Sequence, residues 1–423
     1  MNDTRGQAPF PVILAEMSNR YGKDPRYVLA GGGNSSWKDD KTMFIKASGT
    51  SLGTITAGGF VGMDRGKLGA LMEKQYDRED DAKREAAVLS DMMDSRLPGY
   101  EAMRPSVETL LHNLFQYAYV LHLHPALVNG MTCGTRGEEA ARGLFGEPVI
   151  WIPEYKPGYE LSRLCEKMIK RYSETQGEQP HVIFIQNHGV FVAANEVGEI
   201  DAIYADIMNK LASRATIKPA GETAADLTAP AGSRAAKKIC ADQIINAPDT
   251  GSDHPARAPE IAADLRAGEN LVKTRLAALP TPPAYIYYYN NPDLAQLIES
   301  REQFKPLSGA FTPDHIVYCK AYFLYLDGQD AKACADMLFD QYKSFTALHG
   351  YEPRVICARG IGAFICANTK TEVDNAIALF EDALKITVYS RNFGEPRHMS
   401  TALTDFIANW EIEQYRQKIA REQ

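Results

Sequence analysis

The stretch HVIFIQNHGVFVAANEVGEIDAI, residues 181–203, decides the fold. An apolar strand at 181–186 runs into His188-Gly189. A second apolar run ends at Asn195, and a helix opened by acidic residues follows over 196–215. The order recurs in IGAFICANTKTEVDNAI, residues 361–377, where Gly189 lies over Gly362, Phe191 over Phe364, Ala194 over Ala367 and Asn195 over Asn368. Agreement in both residue type and order predicts a duplicated domain.

Working outward, strand-like segments fall at 42–46, 118–124 and 148–152, and helix-like segments at 80–93, 105–116 and 159–173. Strands alternating with amphipathic helices make this an α/β chain. Its 423 residues exceed what one core usually supports, so two domains are expected. Residues 1–220 form the first and 221–423 the second. The boundary is drawn at KPAGETAADLTAPAGS (218–233), whose Pro, Gly and Ala content reads as a linker. NAPDTGSDHPARAP (246–259) reads as a further loop.

Composition narrows the classes. Apolar residues are 45% and charged residues 24%, with a net charge of −8, the profile of a globular protein with no basic stripe for nucleic acid. No apolar run reaches the roughly 18 residues needed to span a bilayer. The charged, Pro-broken first twenty residues do not resemble a leader, so a cytoplasmic location is expected, with no membrane partner. The seven cysteines include no C-x-x-C pair and read as reduced, mostly buried thiols. The charges of KREAAVL (83–89), preceded by DREDDA, read as a solvated helix face.

Three segments carry candidate chemistry. In YVLHLHPA, His122 and His124 stand two apart, so a strand would point both imidazoles to one face and toward one metal ion. His188 follows a strand and precedes Gly189, which lets the backbone approach a neighbour closely. Glu108, in RPSVETLLH, reads as a residue of a helix's first turn, with Ser106 as cap. Singly, each also fits an ordinary core, turn or helix-start position. Three imidazoles and a carboxylate together suit a first-row ion with an exchangeable position. AGGGNSSWKDD, with Gly31–Gly33 and Asn34 after a short strand at 27–30, and Ser48-Gly49-Thr50 after TMFIKA, could form anion-binding turns. Neither has the spacing of a Walker or dinucleotide loop.

The ordered set GGGNSSW, KASGT, RPSVETLLH, HLHP and QNHGV resembles the class II aldolase/adducin family over residues 28–215. That family includes fuculose- and rhamnulose-phosphate aldolases and ribulose-phosphate 4-epimerase. SGAFTPDHIVYCKA and RGIGAFICAN are similar to the later aldolase portion of rhamnulose-phosphate aldolase/dehydrogenase fusions, whose dehydrogenase part is expected to be missing here. The resemblance implies a three-layer αβα fold with a central, mostly antiparallel sheet, repeated in a degenerate second domain. It implies Zn²⁺ or another divalent first-row ion on His122, His124 and His188, with Glu108 as fourth contact and then as catalytic base. It also implies substrate or phosphate contacts at Asn34, Ser48, Gly49 and Ser106.

Two departures accompany it. The segment between Glu108 and His122 is shorter than in the small fuculose-type enzymes, and no local motif among the 21 tyrosines selects the family's proton donor, which often comes from a neighbouring subunit. In the second copy Ile361 stands where His188 does. With Pro313 laid over Pro125, Ala310 and Thr312 replace His122 and His124. The second domain is therefore expected to bind no metal, and either to cover the first domain's site or to replace a subunit contact. His315 and Arg359 are expected at the surface.

The function expected on this basis is metal-dependent aldol cleavage of a ketose, with a ketose 1-phosphate as the expected substrate, in a homo-oligomer. The alternatives are a sugar-phosphate 4-epimerase using the same retro-aldol step and a non-catalytic adducin-like assembly module.

Overall fold

The computed structural model describes residues 10–77, 80–146, 148–233, 244–246 and 259–410. In chain order the strands are β1 Asn34–Lys38, β2 Thr42–Lys46, β3 Phe60–Asp64, β4 Tyr119–Leu123, β5 Ile150–Ile152, β6 Val182–Ile185, β7 Gly189–Ala194, β8 Ile244–Asn246, β9 Tyr285–Tyr289, β10 Leu324–Leu326, β11 Val355–Ala358 and β12 Gly362–Ala367. The helices of the first half are α1 Phe10–Gly22, α2 Arg65–Glu73, α3 Asp81–Asp94, α4 Thr109–Leu114, α5 Ala126–Thr132, α6 Gly137–Phe145, α7 Tyr159–Gln176 and α8 Val197–Arg214. Those that follow are α9 Ala224–Thr228, α10 Pro259–Ala277, α11 Pro292–Leu297, α12 Arg301–Phe304, α13 Pro313–Cys319, α14 Ala331–His349, α15 Lys370–Ser390 and α16 Thr401–Asn409.

Two sheets result. The first has the order β3-β2-β1-β4-β7-β6-β5, the second β10-β11-β12-β9-β8. Each is antiparallel except at one end, where β5 pairs β6 and β10 pairs β11 in parallel. The hairpins of the repeated motif share a register: Ile185 faces Gly189 in one and Ala358 faces Gly362 in the other. Their turns also match, since Asn187 and Gly360 both take positive φ, 55° and 66°. The α/β fold with a mostly antiparallel sheet is thus duplicated.

The layers follow from side-chain alternation. One face of the first sheet (Met43, Ile45, Val120, Ile183, Phe191) packs on α2, α3 and α7. Its other face (Leu121, Leu123, Val190, Val192) shares a single core with α1, α5, α8, α13 and α15 and with Tyr287, Cys357, Ala363 and Ile365 of the second sheet. The far face of the second sheet (Ile286, Ile356, Phe364) packs on α10 and α14. Two αβα sandwiches therefore share their middle helical layer. Packing on each side leaves those helices buried over most of their surface, as α15 is.

Several local expectations are corrected. Residues 27–30 form turn and coil rather than a strand, so the glycine run links α1 to β1. The helix expected at 105–116 shrinks to α4, because residues 105–108 are spent on a turn in which the Glu108 N–H donates to Ser106 Oγ (3.3 Å). Ser106 is therefore no helix cap. In 80–93 the charges are not all solvated: Arg84 and Glu85 are buried, where Arg84 Nη2 meets Asp81 at 2.6 Å. Residues 218–233 include α9 and are held down by Arg26, which donates to the carbonyls of Asp226, Ala229 and Pro230 at 2.8–2.9 Å. Of the 246–259 loop, residues 247–258 lie outside the described residues. Six cysteines are free and buried, and Cys240 lies outside the described residues.

Candidate metal centre

The site grows from β4 and the β6–β7 turn. His122, on the α7-facing side of β4, stacks on Phe191 of β7 with ring centroids 3.9 Å apart. Its Nδ1–H donates to the Val190 carbonyl at 3.0 Å, leaving the Nε2 lone pair for the site. His124 follows the end of β4, and its Nδ1–H donates to Asp314 Oδ2 at 2.6 Å, which again bares Nε2. Those two Nε2 atoms are 2.8 Å apart, and His188 Nε2 is 3.3 Å from that of His122. Bare lone pairs at this separation repel unless a cation lies among them. Gly189 makes the approach possible, since a Cβ there would sit 2.7 Å from the His124 ring and 2.5 Å from the Leu123 carbonyl.

Glu108 closes the group. Its Oε1 is 3.4 Å from His122 Nε2 and 3.3 Å from His188 Nε2, and it is buried with no hydrogen-bond partner. An orphaned carboxylate oxygen facing the Nε2 atoms of His122 and His188, with His124 beside them, fits a divalent ion of the zinc type. Among the described residues His122, His124 and His188 are the group able to hold a metal ion, their ligand atoms all within 4.8 Å of one another. Burial, reinforced by the other two imidazoles, pushes His188 down to about 3 against the upward pull of Glu108, so it stays neutral as a ligand must.

The other carboxylate oxygen is held from behind. Asn34 Nδ2 donates to Glu108 Oε2 at 2.5 Å and to Ser106 Oγ at 3.2 Å. Asn34 Oδ1 accepts from Nε2 of His112, whose Nδ1 accepts from Ser36 Oγ at 2.8 Å. Burial drives the His112 pKa far below the usual histidine value, which keeps it in the neutral Nε2–H form. The sequence reading passed over His112 although it stands four residues after Glu108, the spacing that puts both on one helix face.

The candidate residues line one cleft. Asn34, Ser48, Gly49, Ser106, Glu108, His124 and His188 share it with Lys46, Pro313 and Asp314, while His122 is fully buried and does not line it. The anion-binding turns are less open than expected. The N–H groups of Gly31, Gly32 and Ser48 already donate, to Tyr318, Leu29 and Arg104 respectively. Ser106 Oγ accepts two hydrogen bonds, from Asn34 Nδ2 and the Glu108 N–H. Lys46, also overlooked, is buried there with Nζ on the Thr50 carbonyl at 2.6 Å. A wider cavity between α3, α7 and α16 is lined by Lys74, Arg84, Lys156 and Arg163, and each of these cations is paired with a nearby Asp or Glu.

Among the described residues the second half has no matching centre. Register places Tyr288 opposite Phe364 and Tyr289 opposite Ala363, as His122 stands opposite Phe191 and Leu123 opposite Val190. The counterparts of His122, His124 and His188 are therefore Tyr288, Asn290 and Ile361. Pro313 does not overlie Pro125, and the expected places of Ala310 and Thr312 are corrected accordingly. Tyr288 OH and Asn290 Nδ2 both donate to the Ile361 carbonyl, at 2.7 and 3.0 Å. His315 is buried rather than on the surface, its Nε2 3.4 Å from Asp382, whereas Arg359 is partly exposed beside Asp327.

Residues 13–212 match the family described as Class II Aldolase and Adducin N-terminal domain. The chain is 24% identical to the Bacillus subtilis protein named Uncharacterized oxidoreductase YuxG over 99% of its own length, and spans 60% of that relative. An N-terminal class II aldolase domain of a conserved Thermoplasma acidophilum protein is 23% identical, covering 50% of this chain and 98% of its own, with a TM-score of 0.41. An L-fuculose 1-phosphate aldolase is 15% identical, covering 48% and 79%, with a TM-score of 0.29.

Proposed function

We propose, on the premise of the match of residues 13–212 to the Class II Aldolase and Adducin N-terminal domain, that the protein is a metal-dependent aldolase, a carbon–carbon lyase that cleaves a ketose, preferably a ketose 1-phosphate. The observation that carries this is the buried, unpartnered Glu108 Oε1 facing the Nε2 atoms of His122 and His188. His122, His124, His188 and Glu108 would hold Zn²⁺ or a similar ion. Such an ion supplies Lewis-acid stabilisation of the negative charge that a broken carbon–carbon bond leaves on a sugar fragment.

The chain's own groups do the rest. Glu108 moves a proton at the carbon that carried the broken bond, while Asn34 fixes its other oxygen. Both Asn34 N–H groups are held by Glu108 and Ser106 and position the former, whereas the O–H of Ser106, the Ser48 hydroxyl and Gly49 bind the polar end of the substrate. The buried Lys46 ammonium beside them supports an anionic one, such as a phosphate. Buried walls exclude water from the proton transfer. Residues 1–220 serve as the catalytic domain and 221–423 as a degenerate repeat. Among the described residues no helix is long and apolar enough to cross a membrane. We place the enzyme in the cytoplasm as a homo-oligomer.

The test is a retro-aldol screen of the purified chain over ketose 1-phosphates and their unphosphorylated forms, with Zn²⁺, Mn²⁺ or Co²⁺ supplied. Release of two carbonyl fragments is expected, and His122→Ala should lose at least about 100-fold, the upper end for loss of even an outer-shell partner. A chain that binds no divalent metal, or a His122→Ala variant that cleaves like the wild type, overturns the reading. Epimerised sugar without free fragments would redirect it to a 4-epimerase.

A further inference from the structure

The metal-free half touches the centre at three points. From α13, Asp314 meets His124 Nδ1 at 2.6 Å. One helical turn on, the Tyr318 hydroxyl accepts from the Gly31 N–H at 3.1 Å, on the loop that leads into Asn34. From the loop before α13 and the segment after α15, the carbonyls of Phe311 and Arg397 accept from Asn187 Nδ2 at 3.0 and 2.8 Å. Asn187 immediately precedes His188 and holds the positive φ that turns it into the site.

These contacts are built rather than incidental. Asp314 is 4% exposed, and the space for its carboxylate exists because Gly32 lacks a Cβ, which would lie 2.4 Å from Oδ2. The helix that carries it is fixed by Thr312 and the fully buried His315, whose Nδ1 accepts from the Thr312 N–H at 3.2 Å. A carboxylate accepting from the far nitrogen of a ligand imidazole sets its tautomer, orients its ring and raises its basicity.

We propose that the degenerate half is the outer shell of the metal centre. Asp314 is a positioning residue for His124 and the Asn187 clamp positions His188, so metal binding in the first half is coupled to the packing of α13 from the second. The inference rests on the metal centre proposed above, but not on the reaction or the sugar.

The experiment measures Zn²⁺ affinity of the full-length chain by chelator competition for wild type, Asp314→Asn and Asp314→Leu, with metal-free melting as the folding control. Asp314→Leu is expected to lose about 10–100-fold in affinity. Asp314→Asn should lose less, since its amide oxygen still accepts from Nδ1. In parallel, Zn²⁺ should slow hydrogen exchange of the amides of residues 314–319 in the wild type, a readout that needs no variant to fold. Wild-type affinity in Asp314→Leu, or α13 exchange indifferent to Zn²⁺, overturns the proposal and leaves the aldolase reading standing. A wild-type chain that binds no Zn²⁺ overturns both.

Discussion

At the residue scale the centre depends on groups whose roles are set by what stands behind them. The His112 ring hydrogen-bonds to Asn34 and Ser36 rather than to a candidate metal ligand, yet it fixes which end of the Asn34 amide faces Glu108. Ser36 donates to Nδ1, Nε2–H donates to Asn34 Oδ1, and the amide nitrogen is then the only end left for the carboxylate. His112→Leu leaves the Asn34 carbonyl and the Ser36 hydroxyl unsatisfied in a fully buried place. It should cost about 1–3 kcal/mol, seen as a lower midpoint in denaturant melts. His112→Gln, whose amide nitrogen can still donate to Asn34, should recover part of that loss. Equal stability of the Leu and wild-type proteins would show that the relay is not a structural constraint.

At the scale of elements, the hairpin and its trailing helix were legible because a six-residue apolar strand, a turn and an acid-opened helix leave a strong local pattern. Boundaries were less so: α4 is short because residues 105–108 turn to bring Ser106 and Glu108 together, and no propensity announces that. Nor did charge alone show that α3 buries Glu85. Burial raises its carboxyl from 4.5 to about 7, with Glu160 adding to the rise, while the Tyr159 N–H and Arg84 pull the other way. The folded state thus holds this proton more tightly than the unfolded chain. The stabilisation is complete below about pH 4.5 and is lost as pH rises through about 7. Melting the wild type and Glu85→Gln at pH 5 and pH 8 should show a smaller drop with pH in the variant. A drop of equal size in both would mean that Glu85 ionises in the fold as freely as in water.

At the scale of the whole molecule, two sandwiches share one helical layer but not one chemistry. Tyr288, Asn290 and Ile361 occupy the positions of the three histidines, and the tyrosine and amide are turned onto the Ile361 carbonyl. Metal analysis should therefore find one ion per chain. Ile361→His should leave that number at one, because a single imidazole beside a phenol and an amide does not make a site; two ions per chain in that variant would show that the second half kept a latent centre. The sequence by itself determined the α/β class and the duplication, since periodicity is a local property, and its ordered motifs pointed to Glu108, His122, His124 and His188 as the candidate set. Only the tertiary structure decided that Asp314 and the backbone of residues 311 and 397 reach the centre. These lie between 124 and 210 residues from the groups they hold. Such partners meet because the two halves bury a common apolar layer, and the burial of that layer is a property of the assembled fold that no neighbouring residue encodes.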